Sequence, residues 1–329
     1  MPLLAEYGLF LAKTITFVIA ILLIGGGLAS LITRGRSEKG AERLELTKLN
    51  EHLEDLKQQL FEKILSKKEY KKWNKIEEKK QKSVKKETKH RIFVLNFDGD
   101  VKASTVTELR EEITALLQIA TPKDEVVVKL ESPGGVVHGY GLAASQLQRL
   151  RDHKIPLTII VDKVAASGGY MMACVANKLI AAPFAIIGSI GVIIELPNFN
   201  RLLKKHDIDY EQLTAGEYKR TLTLFGENTE QGRVKMKADL EVAHDLFKRF
   251  IGQHRPQLDL TKVATGEHWF GSEAFTLGLV DANQTSDDYL LSASEKADVY
   301  VLKYVRKKTL GQRLVVGFQN AVQGLKTVF

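Results

Sequence analysis

The chain has 329 residues, of which 44% are hydrophobic and 27% are charged. That balance suits one or two globular domains and excludes a disordered protein. The formal net charge is +8, but 13 Lys or Arg residues against 4 Glu residues lie between Lys63 and Arg91, so the basicity belongs to one segment and indicates no nucleic-acid partner. Cys174 is the only cysteine, which excludes an intrachain disulfide and a cysteine-rich metal site.

The first hydrophobic segment is residues 14–33, where 20 consecutive residues are uncharged and mostly apolar. At a rise of about 1.5 Å per residue, this length matches the ~30 Å hydrocarbon core of a bilayer. We therefore predict one transmembrane helix and assign residues 1–33 to an N-terminal membrane anchor. A cleaved signal peptide is the alternative, because small residues occur near the end at Ala29 and Ser30. Against it, the run exceeds the about 7–15 apolar residues of such peptides, and Lys13 is the only basic residue before it.

Residues 34–90 are rich in charge, and we predict that they form a helical linker. Leucine recurs there at alternating intervals of three and four residues, at Leu46, Leu49, Leu53, Leu56 and Leu60. This short heptad pattern predicts either a coiled coil or an amphipathic helix that lies on its own catalytic domain. Beyond Lys67 the lysine-rich sequence is typical of a solvated helix or a flexible linker.

From residue 91 onward, strand-like and helix-like patterns alternate. Runs rich in β-branched residues predict strands at 91–97, 125–131, 156–162 and 179–183, and helical periodicity predicts helices at 104–119, 141–152, 167–177 and 230–254. This order predicts an α/β domain with a parallel sheet over residues 91–302. The uncharged stretch 179–194 is interrupted by Pro183, Gly188 and Gly191, which predicts buried strands and turns instead of a second membrane span.

Residues 303–329 form a basic, amphipathic C-terminal tail. Apolar residues recur there at helical spacing, at Leu310, Leu314, Phe318, Val322 and Leu325. This pattern predicts either a helix at a membrane interface or a helix that packs on protein, within the chain or in an oligomer.

A serine among small residues lies between a predicted strand and a predicted helix. Ser167 follows Ala165 and Ala166 and precedes Gly168 and Gly169. Small neighbours permit a tight turn that presents a hydroxyl, as at a nucleophile elbow, although the sequence is not G-x-S-x-G. The N–H of Gly168, at the start of the helix, would face a developing oxyanion.

A second glycine turn follows the strand at 125–131, in the sequence Glu131-Ser132-Pro133-Gly134-Gly135. Parallel strands bring their carboxyl ends to one edge of a sheet, so this turn and the Ser167 turn are expected to lie together. A glycine pair after a proline lets a backbone N–H face a ligand. We assign the second oxyanion donor to Gly135, with Gly134 as the alternative.

A serine nucleophile needs a base, and the sequence by itself leaves several candidates. Among the eight histidines, His138 and His268 are predicted near the sheet edge, and none lies between His153 and His206. Lys219 follows a glycine turn and precedes an apolar stretch. A lysine acts as a base near pH 7 only if its pKa falls far below ~10.4, which near-complete burial supplies.

Five motifs together resemble the SohB-type proteases of the signal peptide peptidase A family, over about residues 91–302. They are ESPGG at 131–135, VAASGGYMMACVA at 164–176, IGSIGV at 187–192, AGEYKRTLTLFGENTEQGR at 215–233 and ATGEHWFGSEAFTLGLVD at 264–281. The resemblance implies a Ser-Lys dyad of Ser167 and Lys219, with Gly134 and Gly135 in the oxyanion segment. It also implies the superhelical fold shared by caseinolytic proteases and crotonases, and a ring-like homo-oligomer in which neighbouring subunits complete the dyad.

The superfamily also supplies alternatives to a peptidase. Caseinolytic proteases use Ser-His-Asp with a histidine soon after the nucleophile, a position that this sequence lacks. A crotonase-like thioester enzyme is the main alternative, because crotonases use the same backbone donors without a serine nucleophile. A non-catalytic membrane scaffold is the third, and the presence of both Ser167 and Lys219 argues against it.

The predicted function is therefore a membrane-anchored serine endopeptidase. Apolar residues near the site suggest a specificity pocket for hydrophobic or membrane-derived peptides: Met171, Ile187, Ile190, Val192 and Ile193. No ligand-spaced cluster or phosphate loop occurs, so we expect no metal and no cofactor. We place the protein in the bacterial inner membrane. Basic residues after the span predict a cytoplasmic catalytic domain, whereas the resemblance implies the outer face.

Overall fold

The structure, a computed structural model, describes residues 7–11, 13–18, 42–84 and 90–306. The chain divides into two compact units, one of residues 44–304 and one of the terminal residues outside that range. The strands are β1 (Arg43–Lys48), β2 (His90–Asp98), β3 (Glu125–Glu131), β4 (Leu157–Val161), β5 (Val164–Ala166), β6 (Lys178–Ala181), β7 (Ile186–Gly188), β8 (His268–Phe270), β9 (Ala282–Asn283) and β10 (Ala297–Val305).

The helices, numbered from residue 49 onward, alternate with these strands. They are α1 (Leu49–Ile64), α2 (Lys67–Val84), α3 (Val106–Leu116), α4 (Val137–Asp152), α5 (Gly168–Ala173), α6 (Asn200–Lys205), α7 (Glu230–His254), α8 (Leu260–Val263), α9 (Gly271–Thr276) and α10 (Ser286–Ser294).

Seven strands form the main sheet, in the order β1-β10-β2-β3-β4-β6-β9. Every pairing from β10 to β9 is parallel. A parallel sheet is covered on both faces, and its central strands are therefore apolar on both sides. In β2, Phe93, Leu95 and Phe97 face the larger core with α3, α4 and α5, while Ile92 and Val94 face a smaller core with α10.

A second, three-stranded sheet contains β5, the strand that directly precedes Ser167. Its order is β5-β7-β8, with β5 parallel to β7 and β8 antiparallel to β7. A parallel bridge between Ser132 and Ala165 joins the end of β3 to β5. The two glycine turns of the sequence, after β3 and after β5, are therefore linked directly by backbone hydrogen bonds.

The strands and helices predicted for residues 91–302 are confirmed, with small shifts of their ends. The strand at 125–131 and the helix at 230–254 have the predicted limits. The helix after Ser167 ends at Ala173, earlier than residue 177, and β10 continues to Val305. The α/β class that the alternation predicts is also confirmed.

The prediction of a helical linker over residues 34–90 is wrong for Arg43–Lys48. These residues form β1, an edge strand beside β10, so Leu46 belongs to a strand and not to a heptad seam. Periodicity could not show this, because Leu44 and Leu46 also fit the alternation of a strand.

The helices that follow β1 form a hairpin whose first turn lies on the sheet. The Asn50 side chain donates to the carbonyl oxygens of Ser294 and Ala297 and accepts from the Val299 N–H. Leu49 packs against the smaller core. Farther along, Phe61 of α1 meets Trp73 of α2 edge to face, with ring centroids 4.8 Å apart. These contacts of the first turn of α1 agree with the second of the two predictions, an amphipathic helix that lies on its own domain.

Two predicted segments fall mostly or wholly outside the described residues. Of the predicted span 14–33, residues 14–18 are described, within a helical stretch at 13–18. Among the described residues, no helix is both long enough and apolar enough to cross a bilayer. Residues 307–329 of the predicted C-terminal tail also lie outside the description.

Candidate active site

Ser167 occupies a strained turn between β5 and α5. Its φ and ψ are 53° and −118°, a conformation that non-glycine residues adopt rarely and at a free-energy cost of about 1–3 kcal/mol. The backbone is held on both sides, because the Ser167 N–H donates to the Gly188 carbonyl at 2.8 Å and the Ser167 carbonyl accepts from the Met171 N–H at 3.0 Å. This sharp turn agrees with the predicted nucleophile elbow.

The glycine turn after β3 lies directly against Ser167. Gly134 has a φ of 89°, and a Cβ placed there would lie 2.7 Å from the Ser167 Cβ and 2.8 Å from the Gly168 nitrogen. The absence of a side chain at Gly134 is therefore what allows the two turns to touch. The structure brings together three of the predicted site residues: Ser167, Gly168 and, through Gly134, Gly135.

Hydrogen bonding distinguishes Gly135 from Gly134, the alternative oxyanion donor. The Gly134 N–H donates to the Ser132 Oγ at 3.1 Å, whereas the Gly135 N–H has no acceptor within the described part of the chain. Gly135 is also exposed while Gly134 is buried. Gly168 is the first residue of α5, where N–H groups lack an intrahelical partner. The geometry therefore favours Gly135 over Gly134 as a donor, beside Gly168.

Lys219 lies elsewhere on the single chain, on an exposed loop outside any helix or strand. In the described residues, no hydrogen bond joins its amine to Ser167, and no ion pair joins it to a carboxylate. Lys219 lines an open cavity of about 690 Å³ with apolar neighbours such as Leu213 and Phe225. The burial that a lysine base requires is therefore absent from the single chain.

The two histidines that the sequence leaves as candidate bases, His138 and His268, are also exposed. His138 lies in the first turn of α4, three residues after Gly135. His268 begins β8 and pairs with Gly188, the residue whose carbonyl accepts from Ser167. Because adjacent strands are about 4.8 Å apart, His268 lies two strand spacings, or about 10 Å, from Ala166. His268 is therefore a structural competitor to Lys219 as a base.

The predicted apolar pocket is wrong for two of its members. Ile187 and Ile190 are fully buried in the larger core, so neither side chain can contact a substrate. Ile193 is 76% exposed. Ile187 lies in β7 and Ile190 and Ile193 follow it outside any strand, so packing against the larger core, and not a local pattern, decides which of these side chains is buried.

Sequence patterns also missed two residues that surround the glycine turn. Tyr140 of α4 is buried, and its ring lies against Gly168, where a Cβ would be 2.7 Å from the Tyr140 Cδ2. A Cβ at Gly99, in the loop after β2, would lie 2.6 Å from both the Ser132 Oγ and the Tyr140 hydroxyl. Periodicity marks Tyr140 only as a core residue of a helix, and no local signal distinguishes Gly99.

Comparison with known proteins identifies the family. The model described as peptidase family S49 N-terminal matches residues 2–147, and the model of peptidase family S49 matches residues 149–300. The chain belongs to peptidase family S49. This S49 member is accordingly a serine peptidase, a hydrolase, and the resemblance to SohB-type proteases is confirmed.

Relatives of this S49 peptidase match over nearly the whole chain. A probable protease SohB of Haemophilus influenzae is 48% identical over 322 residues, covering 94% of this chain and 91% of the relative. A probable protease SohB of Buchnera aphidicola subsp. Acyrthosiphon pisum is 49% identical, and the alignment covers 100% of this chain and 98% of the relative. A solved mutant of the 1510-N membrane-bound stomatin-specific protease is 17% identical over 63% of this chain and 85% of that chain, with a TM-score of 0.42.

The described residues hold no group of three or more His, Cys, Asp or Glu side chains placed to bind a metal ion. The expectation that the enzyme needs no metal and no cofactor stays a prediction. For chemistry, the geometry offers the Ser167 hydroxyl in a strained turn, flanked by the N–H groups of Gly135 and Gly168, which have no hydrogen-bond partner among the described residues.

Proposed function

We propose that this S49 peptidase cleaves peptide bonds by attack of the Ser167 Oγ on the scissile carbonyl, with Lys219 as the general base. The oxyanion is stabilised by the N–H groups of Gly135 and Gly168. The observation that carries the proposal is the contact of the two glycine turns, beside a serine with a φ of 53°, where these N–H groups have no partner in the described part of the chain.

The proposed reaction uses one lysine for every proton transfer. Neutral Lys219 removes the proton from the Ser167 hydroxyl as the Oγ–carbonyl bond forms, and the resulting ammonium protonates the leaving amine as the peptide bond breaks. Lys219 then removes a proton from water, which attacks the acyl-enzyme ester. Release of the acid returns the proton to Ser167 and leaves both residues in their starting forms.

We propose that assembly buries Lys219 next to the serine of a neighbouring subunit. The resemblance implies a ring-like oligomer and the superhelical fold of caseinolytic proteases and crotonases. Support comes from the large apolar side chains that are exposed on the segment carrying Lys219. They include Ile193, Leu202, Ile208, Leu213 and Phe225, and Leu213 is 95% exposed. A segment this apolar is typical of a surface that another protein surface covers.

We further propose the predicted domain organisation: a membrane anchor at 1–33, a charged segment at 34–90, the peptidase domain at 91–302 and a basic tail at 303–329. An anchor of this kind places the enzyme on the bacterial inner membrane, in contact with lipid, and favours hydrophobic or membrane-derived peptides as substrates. The positive-inside rule favours the cytoplasmic face and the resemblance favours the outer face. A reporter that is active in one compartment only, fused after Phe329, decides between them.

Hydrolysis of apolar peptides by the full chain tests the proposed dyad. We expect Ser167→Ala, Lys219→Ala and Lys219→Arg each to lower kcat/KM on the order of 10³-fold or more, because Arg cannot be deprotonated and so cannot replace a lysine base. Arg220→Ala is the matched control, since it removes a neighbouring positive charge from the same cavity. Arg220→Ala, His138→Ala and His268→Ala are each expected to retain activity.

Three outcomes would contradict the proposed function. Full activity of Lys219→Ala would exclude the dyad, and loss of activity in His268→Ala alone would assign the base to that histidine. Thioester turnover that survives Ser167→Ala would favour a crotonase-like enzyme. An intact fold in each variant is checked by thermal unfolding.

A further inference from the structure

A chain of three hydrogen bonds runs beneath the glycine turn, and its direction follows from the partners. The Tyr140 hydroxyl donates to the Asp100 carbonyl at 2.7 Å, which uses its only hydrogen. The Ser132 Oγ lies 2.5 Å from the Tyr140 oxygen and must therefore donate to it. The same Ser132 Oγ accepts the Gly134 N–H at 3.1 Å. Both side chains are fully buried, so water does not compete for these bonds.

The backbone of Ser132 is also joined to the nucleophile strand. Its N–H donates to the Val164 carbonyl at 2.8 Å, and its carbonyl accepts from the Ala166 N–H at 3.0 Å. The backbone of Ser132 is therefore fixed to β5, the strand that leads to Ser167, while its side chain fixes the orientation of the Gly134 N–H. Tyr140 connects this unit to the loop after β2, where Gly99 leaves space for the two hydroxyl groups.

Of three successive N–H groups in the glycine turn, only the middle one is left unpaired in the described chain. The Gly134 N–H is bound by Ser132, and the Val136 N–H donates to the Val101 carbonyl at 2.8 Å. Glycine rotates freely about its backbone bonds, so the N–H of Gly135 would not hold one direction without these two attachments. Preorganised donors of this kind stabilise an oxyanion because they need not reorient during the reaction.

We propose that Ser132 and Tyr140 are positioning residues that aim the Gly135 N–H at the oxyanion. The Ser132 hydroxyl holds the Gly134 peptide, and the Tyr140 hydroxyl orients Ser132. The Tyr140 ring supports the second donor, because it packs against Gly168. This role rests on the proposed function, since it requires Gly135 to be an oxyanion donor.

The test compares Ser132→Ala, Tyr140→Phe and the double variant in the full chain. Loss of one oxyanion donor lowers kcat about 10²–10³-fold, so partial misalignment is expected to lower kcat about 10-fold, with KM nearly unchanged. The double variant should lose no more than about the larger single loss, because both hydroxyls act through one chain. A peptide aldehyde, whose adduct with Ser167 places an oxygen in the oxyanion hole, should bind about 10-fold more weakly to each variant.

Tyr289→Phe is the matched control. Its hydroxyl donates to the Glu125 carboxylate at 2.6 Å. Glu125 begins β3, while Ser132 follows the end of that strand about 23 Å away, at ~3.3 Å per residue. The control therefore loses a part-buried phenol hydrogen bond without touching the turn, and its kcat and aldehyde affinity should equal those of the wild type.

Two results would overturn the proposal. The first is unchanged kcat and aldehyde affinity in both single variants, with only thermal stability lowered, which would leave Ser132 and Tyr140 a structural role. The second is full additivity of the two losses, which would show that the hydroxyls act separately. Failure of the proposed function is distinguishable, because it shows as hydrolysis by Ser167→Ala or as no fluorophosphonate labelling of Ser167 in the wild type.

Discussion

At the level of single residues, the proposed nucleophile Ser167 has an unfavourable backbone conformation. A φ of 53° and a ψ of −118° are accessible to glycine but strained for any residue with a Cβ. This strained conformation is maintained by the backbone hydrogen bonds of Ser167 to Gly188 and Met171, and by its contact with Gly134. The chain keeps a serine where glycine would be more stable, which agrees with selection for the hydroxyl at the expense of stability.

This strain predicts an unusual order of stabilities. Ser167→Gly is expected to be more stable than Ser167→Ala by about 1 kcal/mol, because glycine relieves the strain and alanine retains the Cβ. Both variants should lack peptidase activity. Ser145, within α4, supplies the control: there Gly should be less stable than Ala by about 1 kcal/mol. Denaturant unfolding of the four variants measures both differences, and equal stability of the two Ser167 variants would show that the turn is not strained.

At the scale of the element, helix α3 is joined to strand β10 by a buried carboxyl group. The Glu112 Oε1 accepts the Tyr304 N–H at 2.8 Å. The pKa of Glu112 is raised to about 7, mainly because burial disfavours the charged form. The hydrogen bond from the Tyr304 N–H opposes this rise in pKa, the negative charge of Glu108 adds to it, and the positive charge of Lys303 opposes it. A carboxyl group whose pKa is raised on folding holds its proton more tightly in the folded state, so its contribution to stability is lost as pH rises.

Glu112→Gln is therefore expected to change the pH dependence of stability. Between pH 5 and pH 8 the wild type should lose about 2–3 kcal/mol relative to the variant, because the unfolded glutamate ionises near pH 4.5 and the folded one near pH 7. Glu111→Gln, at the neighbouring and more exposed position, should show no such difference. The free energy of unfolding in urea at the two pH values measures the effect, and parallel pH profiles of wild type and Glu112→Gln would contradict it.

For the molecule as a whole, the described chain brings together the proposed nucleophile and the proposed oxyanion donors, but it leaves the proposed base Lys219 unburied. Lys219 is exposed, and the segment around it presents large apolar side chains, among them Leu213 at 95% exposure. Burial of such a segment in an oligomer would remove apolar surface from water at about 25 cal/mol per Å². The same contact would desolvate Lys219, so assembly and activation would be one event.

Mixing of inactive variants tests a dyad shared between subunits. If Ser167 of one subunit uses Lys219 of its neighbour in a ring, then Ser167→Ala and Lys219→Ala proteins that are dissociated, mixed and reassembled should recover about a quarter of wild-type activity, since each interface is heterologous. Each variant mixed with the Ser167→Ala/Lys219→Ala double variant is the control and should stay inactive. A mixture that remains inactive, although it contains hetero-oligomers, would place both residues of a working site in one subunit.

Local sequence predicts the parts of the fold that depend on neighbouring residues. The β-branched runs predict β2, β3 and β4, and small residues predict the sharp turn at Ser167, because period and side-chain volume act within a few residues. The strand β1 was missed, since its alternation is short and its partner β10 lies about 250 residues away in the chain. The apolar pocket was also misjudged, because burial of Ile187 and Ile190 depends on packing from other elements.

The α/β class, the sharp turn at Ser167 and the resemblance to SohB-type proteases all follow from the sequence, because each depends on neighbouring residues. The preference for Gly135 over Gly134 as the proposed donor comes from the tertiary structure, because it depends on which N–H the Ser132 hydroxyl binds. The tertiary structure also revealed the contacts of Tyr140 and Gly99 with the turn, and the exposure of Lys219 in the single chain. Such features depend on residues that are distant in sequence, and hydrogen-bond direction and burial are set only when those residues meet.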